Sequence, residues 1–278
     1  MKIIDAHVHF QPDSKPLVNT AQHRSNINFS AAGLKESMRK NDVSHLVLIG
    51  LKDIGTGVYT VMDKAASNPL MPAMPKSIET IVTLIAGINP HMPVGETENA
   101  IKSREIKGFK VWLGYYHFAA TDKEYYPFYE LASKYGLPVI FHTGDTYSKV
   151  ARVRYSQPLT IDDVAVDFPD LKLIIAHIGN PNTMDAAQVL YKNENVFADL
   201  SGLIIGGRGE FKTNEAKKAQ KRLQDCFDFV GNPQKFMFGS DWPLAGHSDY
   251  IDFIKAAIPE EHYEDVFYNN AKRVFGFV

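Results

Sequence analysis

The sequence predicts a (β/α)8 barrel, or TIM barrel, and three observations support this fold class. Eight short runs of apolar and β-branched residues recur along the chain, several of them apolar almost throughout, as expected for strands covered on both faces. Segments with the apolar spacing of helices lie between these runs. The chain has 278 residues, close to the roughly 250 that such a barrel needs. An open, doubly wound parallel sheet is the alternative that this pattern leaves.

The predicted strands are distributed over the whole chain, without a repeat or a low-complexity tract between them. We therefore expect a single domain over residues 1–278. The strands are predicted at 2–8, 45–51, 81–88, 106–112, 137–142, 171–177, 195–201 and 236–241.

Five intervening segments have helical patterns, and the first of them begins with the N-cap residue Ser30. Two other segments are irregular. Residues 11–29 are predicted as a loop, and residues 55–77 as either a surface excursion or a lid over the barrel mouth. The predicted helices are 30–41, 125–136, 160–168, 213–230 and 259–276.

Composition excludes several classes of function. The formal net charge is −2 and the pI about 6.6, so nothing in the charge favours nucleic acid or an anionic membrane as partner. No run approaches 18 apolar residues and no signal peptide precedes the first strand, so we expect a cytoplasmic protein without membrane contact. The single cysteine, Cys226, excludes an intrachain disulfide and is predicted to be a buried thiol. A homodimer is expected by analogy with other barrels of this type.

Polar side chains stand at the C-terminal ends of the predicted strands, where barrels carry their active sites. A lone histidine in such a position is more often satisfied by a backbone carbonyl or by water than by a metal. Four histidines and an aspartate on four separate strands would cost several kcal/mol each if buried unpaired, so a shared metal ion is the simpler explanation. The polar residues at strand ends are His7, His9, Lys110, His142, His177 and Asp241.

The residue types fit catalytic rather than structural metal binding. Neutral imidazole and carboxylate suit Zn²⁺, Fe²⁺, Mn²⁺ or Co²⁺, and the lack of a cysteine cluster argues against a closed structural zinc site. Such an ion with an open position lowers the pKa of a bound water to roughly 7. Asp241 is expected to bind the ion and to accept the proton of the water, and His177 to polarise a substrate carbonyl or donate a proton to it.

The motifs in this order resemble those of the amidohydrolase superfamily, and more narrowly its amidohydrolase-related second branch of metal-dependent TIM-barrel enzymes. The resemblance runs from residue 4 to residue 276. That branch includes pyrone-dicarboxylate lactonase, aminocarboxymuconate-semialdehyde decarboxylase and resorcylate-type decarboxylases. The motifs are HVH at 7–9, HTG at 142–144, PDLKLIIAHIG at 169–179, FGSDWP at 238–243 and NNAKRVFG at 269–276.

The resemblance implies a role for each matching residue. His7, His9, His142 and Asp241 are implied as metal ligands, and His177 as the catalytic histidine or a ligand of a second metal. Resorcylate-type decarboxylases tend to have a glutamate at the position of His7. The histidine here weighs against that group, but not against the semialdehyde decarboxylase.

The role of Lys110 decides how many metal ions are expected. In binuclear amidohydrolases a carboxylated lysine at this position bridges two ions, whereas a substrate-binding or structurally paired cation would leave one. We favour the second role, and one ion, most simply zinc. Arginines that clamp an anionic substrate are expected in the loops that follow the strands. The predicted substrate-binding residues are Lys110, Tyr115, Arg152, Arg208 and His247.

Three functions remain open at this point. The first is a metal-dependent hydrolase that cleaves an amide, lactone or ester-like bond in a small, carboxylated substrate. The second is a non-oxidative, metal-dependent decarboxylase of the semialdehyde decarboxylase type, which would share every motif. The third is a non-catalytic barrel, which would have lost ligands. We favour the hydrolase, because the chain is short for the decarboxylases and its first motif is HVH.

Overall fold

Eight parallel strands in sequential order form the sheet, which confirms the predicted barrel. The computed structural model describes residues 1–12, 14–50, 76, 81–103, 106–146 and 148–277. The strands are β1 (Ile3–Val8), β2 (Val43–Ile49), β3 (Val82–Ile88), β4 (Phe109–Val111), β5 (Val139–Phe141), β6 (Leu173–Ile175), β7 (Val196–Asp199) and β8 (Phe236–Met237).

The first and last strands are joined by backbone hydrogen bonds that extend beyond the short β8. Ala6 N–H donates to the Phe238 carbonyl at 2.9 Å, and Asp241 N–H donates to the His7 carbonyl at 2.9 Å. His9 N–H then donates to the Trp242 carbonyl at 2.7 Å. This pairing sets the segment that carries Asp241 directly beside the two histidines that end the first strand.

Helices separate most of the strands, and four of the five predicted helices are confirmed to within one residue at each end. Ser30 caps the first of these four by accepting a hydrogen bond from Gly33 N–H at 3.0 Å. The helices are α1 (Lys15–Thr20), α2 (Ala31–Lys40), α3 (Val94–Lys102), α4 (Tyr126–Tyr135), α5 (Thr160–Asp167), α6 (Thr183–Lys192), α7 (Asn214–Val230), α8 (His247–Lys255) and α9 (Asn270–Phe275).

Three predictions about the segments outside the strands were incomplete or wrong. The segment 11–29 is not a loop throughout, because α1 and a π-helical turn at Ala21–Ser25 occupy part of it and bury Leu17. The predicted helix 259–276 is divided into a 3₁₀ turn, a π-helical turn and α9. Helices α3, α6 and α8 were not predicted. The lid hypothesis for 55–77 falls outside the described residues, except for Lys76.

The buried apolar residues form two layers. The larger joins the outward faces of the strands to the helices, as where Phe141 of β5 and Tyr129 of α4 meet with ring centroids 5.8 Å apart. The smaller fills the barrel interior and includes Ile140, Ile174 and Met237. Cys226 is buried in the outer layer, as predicted. Within the described part of the chain, none of the helices combines the length and the apolar character needed to cross a membrane.

Candidate metal centre

A cavity of about 470 Å³ opens where the strands end. Its wall combines polar side chains from the strand ends with aromatic and apolar groups, a composition typical of small-molecule sites. The wall includes His9, Trp112, Tyr115, His142, His177 and Asp241.

The pairing of the first and last strands brings His7, His9 and Asp241 together. His9 Nε2 lies 3.3 Å from Asp241 Oδ1, and His7 Nε2 lies 3.9 Å from the same oxygen. Asp241 has a left-handed backbone, with φ of 61°, which an aspartate adopts more readily than most residues. The chain turns here, four residues after β8 ends, and Leu244 N–H donates to the Asp241 carbonyl at 2.8 Å.

In His7 and in His9, the hydrogen bond made by Nδ1 determines which ring nitrogen carries the proton. His7 Nδ1 lies 2.8 Å from Asp199 Oδ2, and His9 Nδ1 lies 3.1 Å from the Ile49 carbonyl oxygen. A carboxylate and a carbonyl only accept hydrogen bonds, so each Nδ1 must be the protonated donor. Both Nε2 atoms therefore present a lone pair towards Asp241.

His142 is held by the same kind of contact with the two nitrogens exchanged. Its Nε2 donates to the Asp145 carbonyl oxygen at 2.9 Å, which leaves the lone pair on Nδ1. That Nδ1 is buried and has no hydrogen-bond partner among the described residues. The ring lies next to His177, with 5.0 Å between the ring centroids.

These contacts fit a divalent cation. The Nε2 lone pairs of His7 and His9 face one carboxylate oxygen. His7 Nε2, His142 Nδ1 and Asp241 Oδ1 are buried without a hydrogen-bond partner within the described ranges. Two lone pairs 3.3 Å apart, as between His9 and Asp241, repel each other unless a cation lies between them. Two groups have ligand atoms close enough to hold an ion, His7 with His9 and Asp241, and His7 with His177 and Asp199.

Asp199, at the end of β7, belongs to the site although it was not predicted. Its Oδ2 accepts from His7, and its Oδ1 accepts from the backbone N–H groups of His177 and Ser201, each at 3.1 Å. Outer carboxylates of this kind orient metal-binding imidazoles and raise their basicity. The sequence did carry a signal, because Asp199 ends an apolar strand just as His177 and Asp241 follow theirs.

Asp5 forms a second buried network on the other side of the last strand. Its Oδ1 accepts from His7 N–H at 3.1 Å and from Ser240 N–H at 2.9 Å. Its Oδ2 accepts from Ser240 Oγ and from His247 Nε2, the latter at 2.9 Å. His247 Nδ1 contacts Ser37 Oγ of α2 at 2.8 Å. His247, predicted to bind substrate, therefore lies in this support network and does not line the cavity.

Lys110 is fully buried inside the barrel. Its Nζ has no hydrogen-bond partner in the described part of the chain and lies 5.0 Å from the centroid of the Trp112 ring. Burial lowers the pKa of the ammonium to about 8, although Asp199 and Asp241 oppose the shift. Lys110 is not part of the cavity wall, so it lies next to the site without reaching into the space for substrate.

The structure places the two predicted arginines away from the cavity and two others on its wall. Arg152 is exposed, and Arg208 is 75% exposed and pairs with Asp249 at 3.1 Å. Arg24, from the segment before α2, and Arg222, from α7, line the cavity instead. Both lie far in sequence from any strand end, which explains why the motifs did not indicate them. Tyr115 also lies on the wall, so its predicted role in substrate binding stays a prediction.

The titratable groups of the site favour neutral imidazoles and ionised carboxylates. Burial lowers the pKa of His177 to about 3 and holds the pKa of His142 well below its usual value. Burial also lowers the pKa of His7, against the effect of Asp199. For Asp241, burial alone would raise the pKa, but a proton donated by His9 and positive charge on the nearby His7 or His177 rings hold it below its usual range. Each group is therefore in the form that binds a cation.

This pattern predicts an acid-labile protein in the absence of metal. The pKa of His177 is about 3 in the folded state and near 6.5 as the ordinary value, so the unfolded chain binds the additional proton between those pH values. The free energy of unfolding should therefore fall as the pH decreases from about 6.5 towards 3, by up to about 1.4 kcal/mol per pH unit for each such histidine.

Denaturant unfolding of chelator-treated protein between pH 7 and 4.5 measures this slope. His177→Asn removes one titrating group and should flatten the slope, whereas His23→Asn at an exposed position should leave it unchanged. Equal slopes for wild type and His177→Asn would contradict the assignment.

Comparison with known proteins is consistent with this geometry. No curated protein sequence is significantly similar to the chain. Three solved structures share its fold over almost the whole length. A probable 2-pyrone-4,6-dicarboxylic acid hydrolase from Acinetobacter baumannii, with citric acid bound, is 18% identical with a TM-score of 0.67, covering 100% of both chains.

A 2,6-dihydroxybenzoate decarboxylase from Rhizobium is 15% identical with a TM-score of 0.66, covering 99% of both chains. An amidohydrolase from Burkholderia multivorans with bound zinc is 14% identical with a TM-score of 0.59, again covering 99% of both chains. At these identities the likeness shows the fold alone. The sequence model of the amidohydrolase family, Amidohydro_2, matches residues 79–277. That match spans more than half of the chain, which therefore belongs to the amidohydrolase family.

Proposed function

We propose that the protein is a metal-dependent hydrolase that cleaves a lactone, amide or other ester-like bond in a small carboxylated molecule. The observation that carries the proposal is the unpaired Asp241 Oδ1, which faces the bare Nε2 atoms of His7 and His9. Asp241 and His9 lie on the wall of the cavity. A carboxylate in this position can both help hold a cation and accept a proton, the two requirements of hydrolysis by an activated water.

His7, His9 and Asp241 would hold the ion, with His142 Nδ1 as a further ligand. Zinc suits this set, because it binds imidazole nitrogen and carboxylate oxygen and its catalytic sites keep one position open; iron, manganese and cobalt are the alternatives. When bound, such an ion supplies Lewis acidity and makes a water nucleophilic near neutral pH. One ion per chain is proposed, with Lys110 as an unmodified amine whose Nζ lies 5.0 Å from the centroid of the Trp112 ring.

Asp241 is the proposed general base. Its pKa lies below the usual range, so it is ionised at neutral pH and able to take a proton from the attacking water. The proton would then pass to the leaving group as the bond to the carbonyl carbon breaks. Because the carboxylate lies on the cavity wall, it is within reach of a substrate held there.

Arg24 and Arg222 are proposed to bind the carboxylate of the substrate. Arg24 lines the cavity, and its guanidinium forms no ion pair within the described ranges. Arg222 is oriented by Asn180 Oδ1 and by Glu215 Oε1, each at 3.1 Å, and also faces the cavity. The guanidinium of Arg24 can pair with a carboxylate in bidentate fashion, whereas Arg222 can offer only the N–H donors that its bonds to Asn180 and Glu215 leave.

Loss of carbon dioxide from an unsaturated acid is the second candidate reaction. Trp112 and Tyr115 line the same cavity, with ring centroids 6.0 Å and 4.8 Å from that of His142. Aromatic surfaces beside the proposed metal ligands would suit a planar substrate. The shared fold with a 2,6-dihydroxybenzoate decarboxylase supports this alternative as a proposal.

A substrate panel separates the two reactions. Protein reconstituted with zinc is incubated with lactones, amides and carboxylated muconate-like acids, and both acid production and carbon dioxide release are followed. Acid without carbon dioxide supports the hydrolase, and carbon dioxide release supports the second candidate. Chelator-treated protein and Asp241→Asn serve as controls. Turnover that survives in both controls would overturn the metal-dependent proposal.

A further inference from the structure

Ser201, two residues beyond the end of β7, connects Asp199 to His177. Its hydroxyl contacts Asp199 Oδ1, and its Oγ lies 2.9 Å from His177 Nδ1. All three side chains are nearly or fully inaccessible to solvent, His177 being the most exposed at 8%. Bulk water therefore does not compete for these two hydrogen bonds, and a buried polar atom left without a partner here would be costly.

The directions of the two hydrogen bonds follow from the number of available protons. The Asp199 carboxylate can only accept, so the hydroxyl proton of Ser201 must point towards it. A serine hydroxyl has one proton, so its oxygen has only lone pairs left for His177. His177 Nδ1 must then be the donor, and the lone pair of the neutral ring is on Nε2.

The neighbouring glycine shows how closely this segment encloses the histidine. Gly202 has φ of 65°, and a Cβ at this position would lie 2.6 Å from His177 Nδ1 and 3.2 Å from Asp241 Oδ2. His177 itself has a left-handed backbone, with φ of 62°, stabilised by its N–H bond to Asp199. Backbone in this region costs of the order of 1 kcal/mol and persists where surrounding contacts determine it.

We propose that Ser201 is a positioning residue that keeps His177 in the Nδ1–H tautomer, so that Nε2 presents a lone pair to the cavity. His177 then acts there as a proton or hydrogen-bond acceptor and becomes a donor only after it has taken a proton at Nε2. The carboxylate of Asp199 thus sets two tautomers. It sets that of His177 through Ser201 and that of His7 by direct contact.

The tautomer can be read directly in the metal-free protein. In chelator-treated, 15N-histidine-labelled protein at pH 7.5, two-bond 1H–15N correlation spectra distinguish protonated from bare ring nitrogens. We expect a protonated Nδ1 and a bare Nε2 for His177, whose signals are assigned by their loss in His177→Gln. A protonated Nε2 in wild-type protein would overturn the proposal without any variant.

Two substitutions test the role of the hydroxyl. Ser201→Ala should shift His177 to the Nε2–H form or to a mixture, whereas Ser201→Thr, which keeps the hydroxyl, should preserve the wild-type pattern. The signals of His7, held by Asp199 Oδ2, should stay unchanged in both and report that the site is intact. An unchanged His177 tautomer in Ser201→Ala would show that Ser201 does not control it.

The kinetic consequence rests on the proposed hydrolase function. With a substrate found by the panel, Ser201→Ala should lower kcat about 10-fold or more, with KM within about twofold, and Ser201→Thr should restore most of it. The tautomer of His177 is measured without a substrate. A failure of the proposed reaction can therefore be distinguished from a failure of the role assigned to Ser201. A tautomer change without any change in kcat would remove His177 from the reaction.

Discussion

Asp241→Asn should abolish stoichiometric metal binding and lower turnover by about 10²–10⁴-fold, the range for loss of a general base. Asparagine keeps the shape of the side chain and also tolerates the left-handed backbone at this position, where φ is 61°. What it loses is the negative charge that faces His7 and His9. The fold should survive, because the bond between the backbone N–H of residue 241 and the His7 carbonyl is unaffected.

Elemental analysis after dialysis against zinc measures the first effect and needs no substrate. Wild type should retain about one ion per chain and Asp241→Asn far less, a larger loss than the roughly 10–100-fold in affinity typical of outer partners. Asp228→Asn, at an exposed position on α7, makes the same chemical change outside the site and should behave as wild type. Full metal content in Asp241→Asn would exclude Asp241 as a ligand.

The positions of the site residues along the strands could be predicted because one physical rule governs them. Parallel strands in a barrel all end at the same rim, so polar residues that close apolar runs meet there whatever their separation in sequence. By this rule the amino-acid sequence alone places His142, His177 and Asp241 at the rim. The rule applies equally to Asp199, which closes NVFAD, but no surrounding motif distinguishes this lone aspartate from an ordinary strand end.

The residues that line the upper part of the cavity could not be found in this way. Arg24 and Arg222 reach it from a segment before α2 and from the middle of α7, and their place depends on how these elements pack over the rim. Arg208 follows a strand, as predicted, but turns outward to Asp249. The sequence indicates where the backbone of a loop begins. The direction of a long side chain depends on its neighbours in space, which only the folded structure reveals.

The short helices were missed for a related reason. Helices α3 and α8 have nine residues each, so their apolar pattern spans little more than two turns. In the last segment the helical spacing predicts Val266, Phe267, Ala271, Val274 and Phe275 as core positions. The first four are buried and Phe275 is half-buried, although the backbone there is partly π-helical. Burial of a periodic face was therefore easier to predict than the type of helix that produces it.

Asp199→Asn should reduce metal affinity about 10–100-fold although Asp199 lies behind His7 rather than beside the lone pairs that face the cavity. The orientation of the new amide is determined by its neighbours. Three donors converge on the Oδ1 position, the backbone N–H groups of His177 and Ser201 and the hydroxyl of Ser201. Only the amide oxygen can accept them, so the NH₂ group must take the Oδ2 position, where it faces His7 Nδ1.

That reversal changes the tautomer of His7. An amide NH₂ group donates, so His7 Nδ1 must become the acceptor and its proton must move to Nε2. A protonated Nε2 cannot bind a metal ion, although every ligand is still present. Competition with a chromophoric chelator measures the loss of affinity, and labelled histidine spectra of the metal-free protein show the tautomer. Asp199→Asn with wild-type metal affinity and a bare Nε2 on His7 would contradict this role. The substitution would then have left the metal-binding nitrogen of His7 unchanged, and the role of Asp199 would be limited to stabilising the left-handed backbone at His177.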